Sequence, residues 1–347
     1  MVFEWICLLS EKSFPMIYTA GGKAVGYLGM HTPMYSKTKF RSLRRNVRSP
    51  LFRQCRKKWQ LLLLLLPGLL YYIIFRYVPM YGITVAFKDF KPLLGIAGSP
   101  FIGFAHFERL LNSPDFWQVF RNTLIISVYK IVLFFPVPIL LSIMLNEIRH
   151  TGGKRLAQTA LYLPHFLSWV IFTGVVNSLL SSGGLINYII ELFGGQSRVF
   201  LAESKYFRGI IVLTSIWKEA GWNTVIYLAA IAGINPELYE AALMDGAGLF
   251  HRIWHVTIPC IMSTIIITFI MRLGSVMDAG FEQVLLMYNV SVYDVGDILG
   301  TFVYRMGITK GQIGFSTAAD LFKGVINLAL VWGSNCIIRR IGEEGLW

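Results

Sequence analysis

Six long apolar segments dominate the chain, and polar stretches separate them. The first is led by six consecutive leucines at 61–66, and each segment is long enough for a helix that crosses a bilayer, which takes about 20 apolar residues. The pattern therefore predicts six membrane-spanning helices. They are expected at 59–78, 120–145, 157–180, 208–234, 258–277 and 318–338.

Positive charge is concentrated in alternate polar stretches of this arrangement. Ten basic residues lie between Lys37 and Lys58, just before the first span, and Arg339 and Arg340 end the last. Three more basic residues lie in the short stretch 146–156. Because basic loops are retained in the cytoplasm, both termini are predicted to be cytoplasmic. The regions expected on the other side are 79–116, 181–207 and 278–297.

Composition narrows the class of protein. Of 347 residues, 55% are hydrophobic and 15% are charged, which is atypical of a soluble domain. The net charge of +13 comes mostly from residues 1–58, and positive charge at this position suits the anionic headgroups of membrane lipids. Nucleic acid is not expected as a partner, because no basic surface with interleaved aromatic residues accompanies the charge. The predicted domains are a basic cytoplasmic extension at 1–58, a six-span domain at 59–341 and a short cytoplasmic tail at 342–347.

A polar island at 235–259 interrupts the apolar segments on the predicted cytoplasmic side. Asn235 followed by Pro236 predicts a helix start, and Gly246 and Gly248 predict its end. A second amphipathic stretch follows and closes at Pro259. On it, Phe250, Ile253, Trp254 and Ile258 are expected on one side, and His251, Arg252 and His255 on the other. The island is predicted to be a helix–turn–helix at a membrane surface.

No catalytic constellation stands out in the chain. The sequence Gly21-Gly22-Lys23 lacks the first glycine of a phosphate loop, and Ala24 replaces its hydroxyl residue, so the chain is not expected to hydrolyse ATP. His251 and His255 have the i, i+4 spacing of zinc ligands on a helix, but Arg252 occupies the position of a metalloprotease glutamate. A solvated polar helix face is the favoured interpretation of the pair, and no metal is expected. The four cysteines also lack the spacing of a metal knuckle or a disulfide framework.

Charged side chains inside the predicted spans are candidates for a transport path, because they are costly in a bilayer unless they face a cavity or each other. Two tryptophans flank a charged pair in the fourth span, and such aromatic faces beside hydrogen-bonding groups suit a carbohydrate. Several cations would also suit an acidic sugar such as a uronate oligomer. The alternative is an internal ion pair or a side chain that snorkels to the interface, which is favoured for Lys323. The candidate path residues are Lys130, Trp217, Lys218, Glu219, Trp222 and Arg272.

The spacing within the island resembles a family signature. Glu-Ala-Ala, a glycine six residues after the glutamate and a proline nineteen residues after it match the EAA loop of binding-protein-dependent ABC importer permeases. The residues concerned are Glu240, Ala241, Ala242, Asp245, Gly246, Ala247, Gly248 and Pro259. Ordered matches at 79–90, 103–107, 121–124 and 162–165 resemble the oligo- and polysaccharide importers within the sugar branch of that family.

This resemblance implies an all-α integral protein of the bacterial cytoplasmic (inner) membrane with the type I ABC importer permease fold. The loop at 235–259 would contain the coupling helix seated in an ATPase groove. Glu240 would orient toward the ATPase, Ala241 and Ala242 would allow close approach, and Gly246 would supply the turn. The implied partners are a second homologous permease in a heterodimer, two ABC ATPases that use ATP and Mg, an extracytoplasmic solute-binding protein, membrane lipid and a carbohydrate. No cofactor is expected on this chain.

Two other classes of protein remain as alternatives. An ion-coupled secondary transporter would use the intramembrane charges as ion sites, but the six spans show no evident internal repeat and the loop around Glu240 would have no task. A membrane-embedded enzyme ranks third, because no paired acid and base or metal ligands converge. For the island itself, the alternative to a docking surface is a capped surface helix that Gly246 merely ends.

Overall fold

The computed structural model describes residues 59–341, apart from the side chains of residues 61, 62 and 341. The predicted extension at 1–58 and tail at 342–347 lie outside the described residues. Within the described part, the residues from Pro67 onward form one compact unit. Within the described part the chain is helical, and its β-type contact is an isolated antiparallel bridge between Lys88 and Phe101.

The main helices are α1 (Trp59–Tyr72), α2 (Ala105–Leu111), α3 (Pro114–Tyr129), α4 (Pro136–Glu147), α5 (Thr151–Tyr162), α6 (Trp169–Leu180), α7 (Leu185–Leu192), α8 (Ser204–Ala232), α9 (Pro236–Met244), α10 (Leu249–Arg252), α11 (Met262–Gly274), α12 (Phe281–Met287), α13 (Leu299–Tyr304) and α14 (Ile313–Ile341). Wider π turns occur at Ile73–Tyr77, Lys130–Phe134, Ile253–Thr257 and Arg305–Thr309. Short α or 3₁₀ segments occur at Val78–Met80, Tyr81–Phe87, Gly95–Gly98, Leu163–Phe166, Phe200–Ala202, Ile258–Cys260, Val276–Asp278, Val290–Val292 and Tyr293–Gly296.

Six segments of this helical chain correspond to the predicted spans. Four are long and apolar enough to cross a membrane: Leu63–Phe87, Pro114–Glu147, Trp169–Leu192 and Ile313–Arg340. A fifth is the pair Leu249–Cys260 and Met262–Gly274, bent by 61°. The sixth is α8, whose 29 residues extend about 43 Å at 1.5 Å per residue. Helix α8 is not among the helices apolar enough to count as candidate spans, and four charged side chains lie within its residues 204–219.

The third predicted span, at 157–180, is wrong in its boundaries. Helix α5 ends at Tyr162, and a 3₁₀ turn with Pro164 at its start separates α5 from α6. Pro164 has no backbone N–H to continue the helical hydrogen bonds, and the backbone becomes extended at Leu167 and Ser168. Ser168 then caps α6, and its hydroxyl accepts a hydrogen bond from Ile171 N at 3.3 Å. The apolar segment therefore begins at Trp169 and includes α7, which was expected outside.

The polar stretch after the fifth span also differs from the prediction. It was expected to be an external loop, but α12 lies in it and buries Gln283, Val284 and Met287. Val284 and Met287 belong to a core cluster with Ile126 of α3 and Ile211 of α8. The apolar residues recur every three positions along α12, so that one face of this helix packs into the protein.

Contacts between the connecting stretches place them at two ends of the chain fold. At one end, Ile143 of α4, Ile231 of α8 and Ile261 pack together. At the other end, the Asn122 amide donates to the backbone carbonyl of Asp294 at 3.0 Å. Among the described residues, the stretches 146–156 and 235–259 thus follow helices that meet at the first end, and the stretch 278–297 lies at the second. Which end faces the cytoplasm stays a prediction.

A buried ion pair fixes the backbone at the second end. Arg305 Nη1 donates to Asp297 Oδ1 at 3.0 Å, Arg305 Nη2 contacts the other carboxylate oxygen, and the Thr301 hydroxyl donates to Asp297 Oδ1 at 2.8 Å. Asp297 is buried. The hydrogen bonds to Asp297 raise the pKa of the Arg305 guanidinium above its usual value. The pair therefore joins the end of α13 to the stretch before it.

Candidate functional site

The loop at 235–259 folds as a helix, a glycine turn and a second helix. The Asn235 side chain caps α9 by accepting from Glu237 N at 3.1 Å, and Pro236 occupies the first helical position. Helix α9 ends at Met244, and Gly246 has the left-handed backbone angle φ of +77°. Ala247 N donates back to Ala242 O at 2.9 Å and closes the turn. The predicted start and break of this helix are both confirmed.

A hydrogen bond ties the two arms of the loop together. The Tyr239 hydroxyl of α9 lies 2.9 Å from the Thr257 hydroxyl of the second arm, and Thr257 is buried. The arms are therefore held at a fixed separation rather than joined only through the turn.

The predicted apolar side of the second arm is split. Ile253 and Ile258 pack against the cluster around Ile261, whereas Phe250 is 86% exposed and Trp254 is 69% exposed. The prediction that these four share one side is wrong, because a π turn over Ile253–Thr257 changes the side-chain register. The loop consequently presents large apolar side chains on its outer surface.

A groove of about 480 Å³ lies between the two arms. Its lining is Ala242, Asp245, Gly246, Ala247, Gly248, His251, His255 and Val256. Five of the eight predicted docking residues line this groove, while Glu240, Ala241 and Pro259 are exposed beside it. The His251 and His255 rings stack with centroids 4.0 Å apart. In the described part of the chain, no third His, Cys or carboxylate joins them as a metal-ligand group.

A second cavity, which we call the central cavity, lies between the spanning helices and has a volume of about 250 Å³. It brings together three of the predicted path residues, Lys130, Glu219 and Arg272. The other lining residues are Ser127, Ile131, Trp169, Ser215, Ser275, Val276, Asp278, Ala279, Gly280, Phe281, Glu282 and Gln283. Hydroxyl and charged groups from α3, α8 and α11 thus converge there with aromatic rings from α6 and α12.

Lys130 is the most buried cation of this cavity. Its ammonium donates to the Ala279 carbonyl at 3.0 Å and to Gln283 Oε1 at 2.8 Å. Ala279 and Gly280 both have left-handed backbone angles, with φ of +46° and +82°. This turn directs the Ala279 carbonyl toward Lys130, and a Cβ atom on Gly280 would overlap the ammonium. Both acceptors of Lys130 are electrically neutral.

Gln283 was not among the predicted site residues. Its Oε1 also accepts from the Ser215 hydroxyl at 2.7 Å, and its Nε2 donates to the Ile211 carbonyl at 2.8 Å and the Thr214 hydroxyl at 2.7 Å. The amide therefore uses both ends and links α12 to α8 and to Lys130. The only sequence signal for its burial was the three-residue spacing of apolar side chains around it.

The carboxylates around the central cavity differ in how they are neutralised. Asp278 pairs with Lys323 at 2.9 Å. Lys323 therefore forms an internal ion pair, one of the two alternatives to a role in the transport path that the sequence favoured for this residue. Glu282 is exposed and Glu219 is half-buried. The Arg272 guanidinium lies 5.1 Å from the centre of the Phe134 ring. The cations nearest the cavity centre are therefore Lys130 and Arg272.

The remaining predicted path residues lie outside the central cavity. Lys218 is buried, and its ammonium donates to the carbonyls of Pro164, His165 and Leu167 at 3.5, 3.0 and 2.7 Å. It thus caps the broken segment between α5 and α6. Trp217 packs on Phe172, and Trp222 stacks on His165 with ring centroids 4.7 Å apart; about half of each indole is exposed.

The fold and these two sites define a class of protein: a membrane permease with a polar cavity between its spans and a surface loop at one end. Residues 134–342 match the family described as "Binding-protein-dependent transport system inner membrane component". The chain belongs to this family and is a permease of the sugar-importing ABC type.

Relatives and solved structures agree with this assignment. The polygalacturonan/rhamnogalacturonan transport system permease protein YteP of Bacillus subtilis (strain 168) is 46% identical over 288 residues, which are 83% of this chain and 90% of YteP. A bacterial ABC transporter involved in the import of the acidic polysaccharide alginate superimposes with a TM-score of 0.79 at 39% identity, covering 84% of this chain and 99% of the matched chain. The same score holds, at 38% identity and 85% and 99% coverage, for the bacterial alginate ABC transporter crystallised with alginate pentasaccharide-bound periplasmic protein.

Proposed function

We propose that this chain carries an acidic oligosaccharide, such as a uronate oligomer, across the bacterial inner membrane into the cytoplasm. The observation that carries the proposal is the Lys130 ammonium, which lines the central cavity and has only neutral acceptors. Arg272 supplies a second cation, and Trp169 and the serine hydroxyls supply the aromatic and hydrogen-bonding groups that suit a sugar ring. The substrates named for YteP and for the alginate transporter are also acidic polysaccharides.

The energy for this transport would come from ATPase subunits docked on the loop at 235–259. The exposed Phe250 and Trp254 and the groove lined by Gly246 and Gly248 offer the apolar contact and the concave surface that a rigid partner needs. The Tyr239–Thr257 bond would pass a displacement of α9 to the fifth span. Closure of two ATPases, with their own ATP and Mg, would then drive alternating access.

The complete transporter would contain further subunits. A second homologous permease would supply the other half of the pathway, and an extracytoplasmic solute-binding protein would deliver the sugar. Both termini of this chain would lie in the cytoplasm with the docking loop. The chain itself would not be an enzyme, because ATP hydrolysis belongs to the docked subunits.

The charge preference is tested with Arg272→Gln in the assembled transporter reconstituted in proteoliposomes. We expect the KM for an oligogalacturonate to rise about tenfold, equivalent to about 1.4 kcal/mol, while the KM for its carboxyl-reduced, neutral counterpart stays unchanged. Lys205→Gln removes an exposed cation that rests on the Tyr206 ring at the start of α8, and it serves as the matched control. Equal changes for both sugars in Arg272→Gln would contradict the proposal.

A further inference from the structure

Gln283 occupies the place where an acidic residue would neutralise Lys130. Both groups are buried, with 1% of Gln283 and 4% of Lys130 exposed. In the described part of the chain, no carboxylate oxygen lies within ion-pair distance of the Lys130 ammonium. A buried ammonium normally acquires a charged partner, because leaving water is costly for an unpaired ion. The use of an amide here calls for a functional explanation.

The surroundings of Gln283 fix which end of the amide faces Lys130. The Ile211 carbonyl can only accept, so it must face the Nε2 end, and the Oε1 end is turned toward the Lys130 ammonium and the Ser215 hydroxyl. These three bonds and the one that Nε2 donates to the Thr214 hydroxyl are all between 2.7 and 2.8 Å long. The amide therefore holds the ammonium in place without adding a countercharge.

Gly280 also helps to hold the Lys130 ammonium in place. Its left-handed conformation, with φ of +82°, suits glycine, and a side chain there would displace the ammonium from the Ala279 carbonyl. The backbone turn and Gln283 thus hold Lys130 from two directions and leave the third donor of the ammonium free for the cavity.

We infer that Gln283 is a positioning residue that sets the preference for negatively charged sugars, because it holds the Lys130 ammonium at the central cavity without neutralising it. This inference rests on the proposed function. A glutamate at the same position would pair with Lys130 and cancel the charge that the cavity presents. An apolar side chain of similar length would leave the charge but release the ammonium.

The test uses the assembled transporter and two substrates of equal length, an oligogalacturonate and its carboxyl-reduced counterpart. We expect Gln283→Glu to raise the KM for the acidic sugar at least tenfold, with kcat and the KM for the neutral sugar near wild type. Gln283→Met should raise the same KM by a smaller factor. If the glutamate variant fails to assemble, the methionine variant alone decides the question, because it introduces no buried charge.

Lys130→Met separates this inference from the proposed function. If Gln283 acts through Lys130, the double variant Lys130→Met with Gln283→Met should be no worse on the acidic sugar than Lys130→Met alone. Parallel losses on both sugars in the Gln283 variants, with a charge-selective loss in Lys130→Met, would overturn only the inference. Parallel losses in Lys130→Met as well would overturn the acidic-substrate proposal itself.

Discussion

Gly246 allows the docking surface to be altered with little effect on the fold. Its φ of +77° disfavours other residues, but a Cβ atom built there meets no heavy atom within 4 Å. The cost of Gly246→Asp is therefore the left-handed conformation alone, about 1–2 kcal/mol at most, and aspartate tolerates this conformation better than most residues. A stability of about 5–15 kcal/mol absorbs such a loss. We expect near-normal membrane levels and no ATP-driven transport, because the new carboxylate projects from the docking groove.

The assay measures the amount of transporter in membranes, sugar uptake and substrate-stimulated ATP hydrolysis in parallel. Gly194→Asp is the matched control, because Gly194 has φ of +80°, equally open space, and a position in the stretch between α7 and α8. The control should reach wild-type uptake. Normal uptake by Gly246→Asp would refute the docking role, and a loss of protein equal in size to the loss of uptake would show that the glycine only supports the fold.

Two further predictions concern stability. Lys218→Met removes the donor to the three carbonyls that follow α5, and at about 1–3 kcal/mol for each buried unpaired group it should lower the melting temperature in detergent without changing the sugar preference. A charge-selective effect of Lys218→Met would return Lys218 to the transport path. Arg305→Met leaves Asp297 buried and unpaired, at a cost of about 3–5 kcal/mol, and adding Asp297→Asn should restore part of the lost thermal stability. Exposed Lys310→Met is the control, and equal melting temperatures for Arg305→Met and Lys310→Met would contradict this account.

The ends of α9 were predictable from sequence because their signals are local. The Asn235 side chain caps the helix by accepting a hydrogen bond from the backbone N–H of Glu237, only two residues away. Gly246 supplies the left-handed backbone angle at which the helix stops. Proline signals were less decisive. Pro67 lies inside α1 without ending it, whereas the 3₁₀ turn Leu163–Phe166, which contains Pro164, separates α5 from α6. The difference depends on tertiary contacts to the freed backbone groups, here from Lys218, which local sequence does not reveal.

The central cavity was only partly predictable for a similar reason. A charged side chain is costly inside a bilayer, and this cost marks Lys130 and Arg272 in the sequence as candidates for the transport path. The same argument marks Lys218, which lies outside the cavity. What separates them is the set of partners, and those of Lys218 lie 51 to 54 residues away in the chain. Gln283 is 153 residues from Lys130 and lies in a stretch that its polar composition placed outside the membrane. Long-range pairing of this kind requires the folded structure.

The most direct test of the account is ATP-driven uptake of matched sugars by proteoliposomes that contain this permease, its partner permease, both ATPases and the solute-binding protein. We expect accumulation of oligogalacturonate that requires ATP and the ATPases, and much slower uptake of the carboxyl-reduced oligomer when both sugars are supplied at the same concentration, below the KM for the neutral sugar. Equal uptake of the two sugars would contradict the role of Lys130 and Arg272. Accumulation driven by an ion gradient without the ATPases would contradict the role of the loop at 235–259.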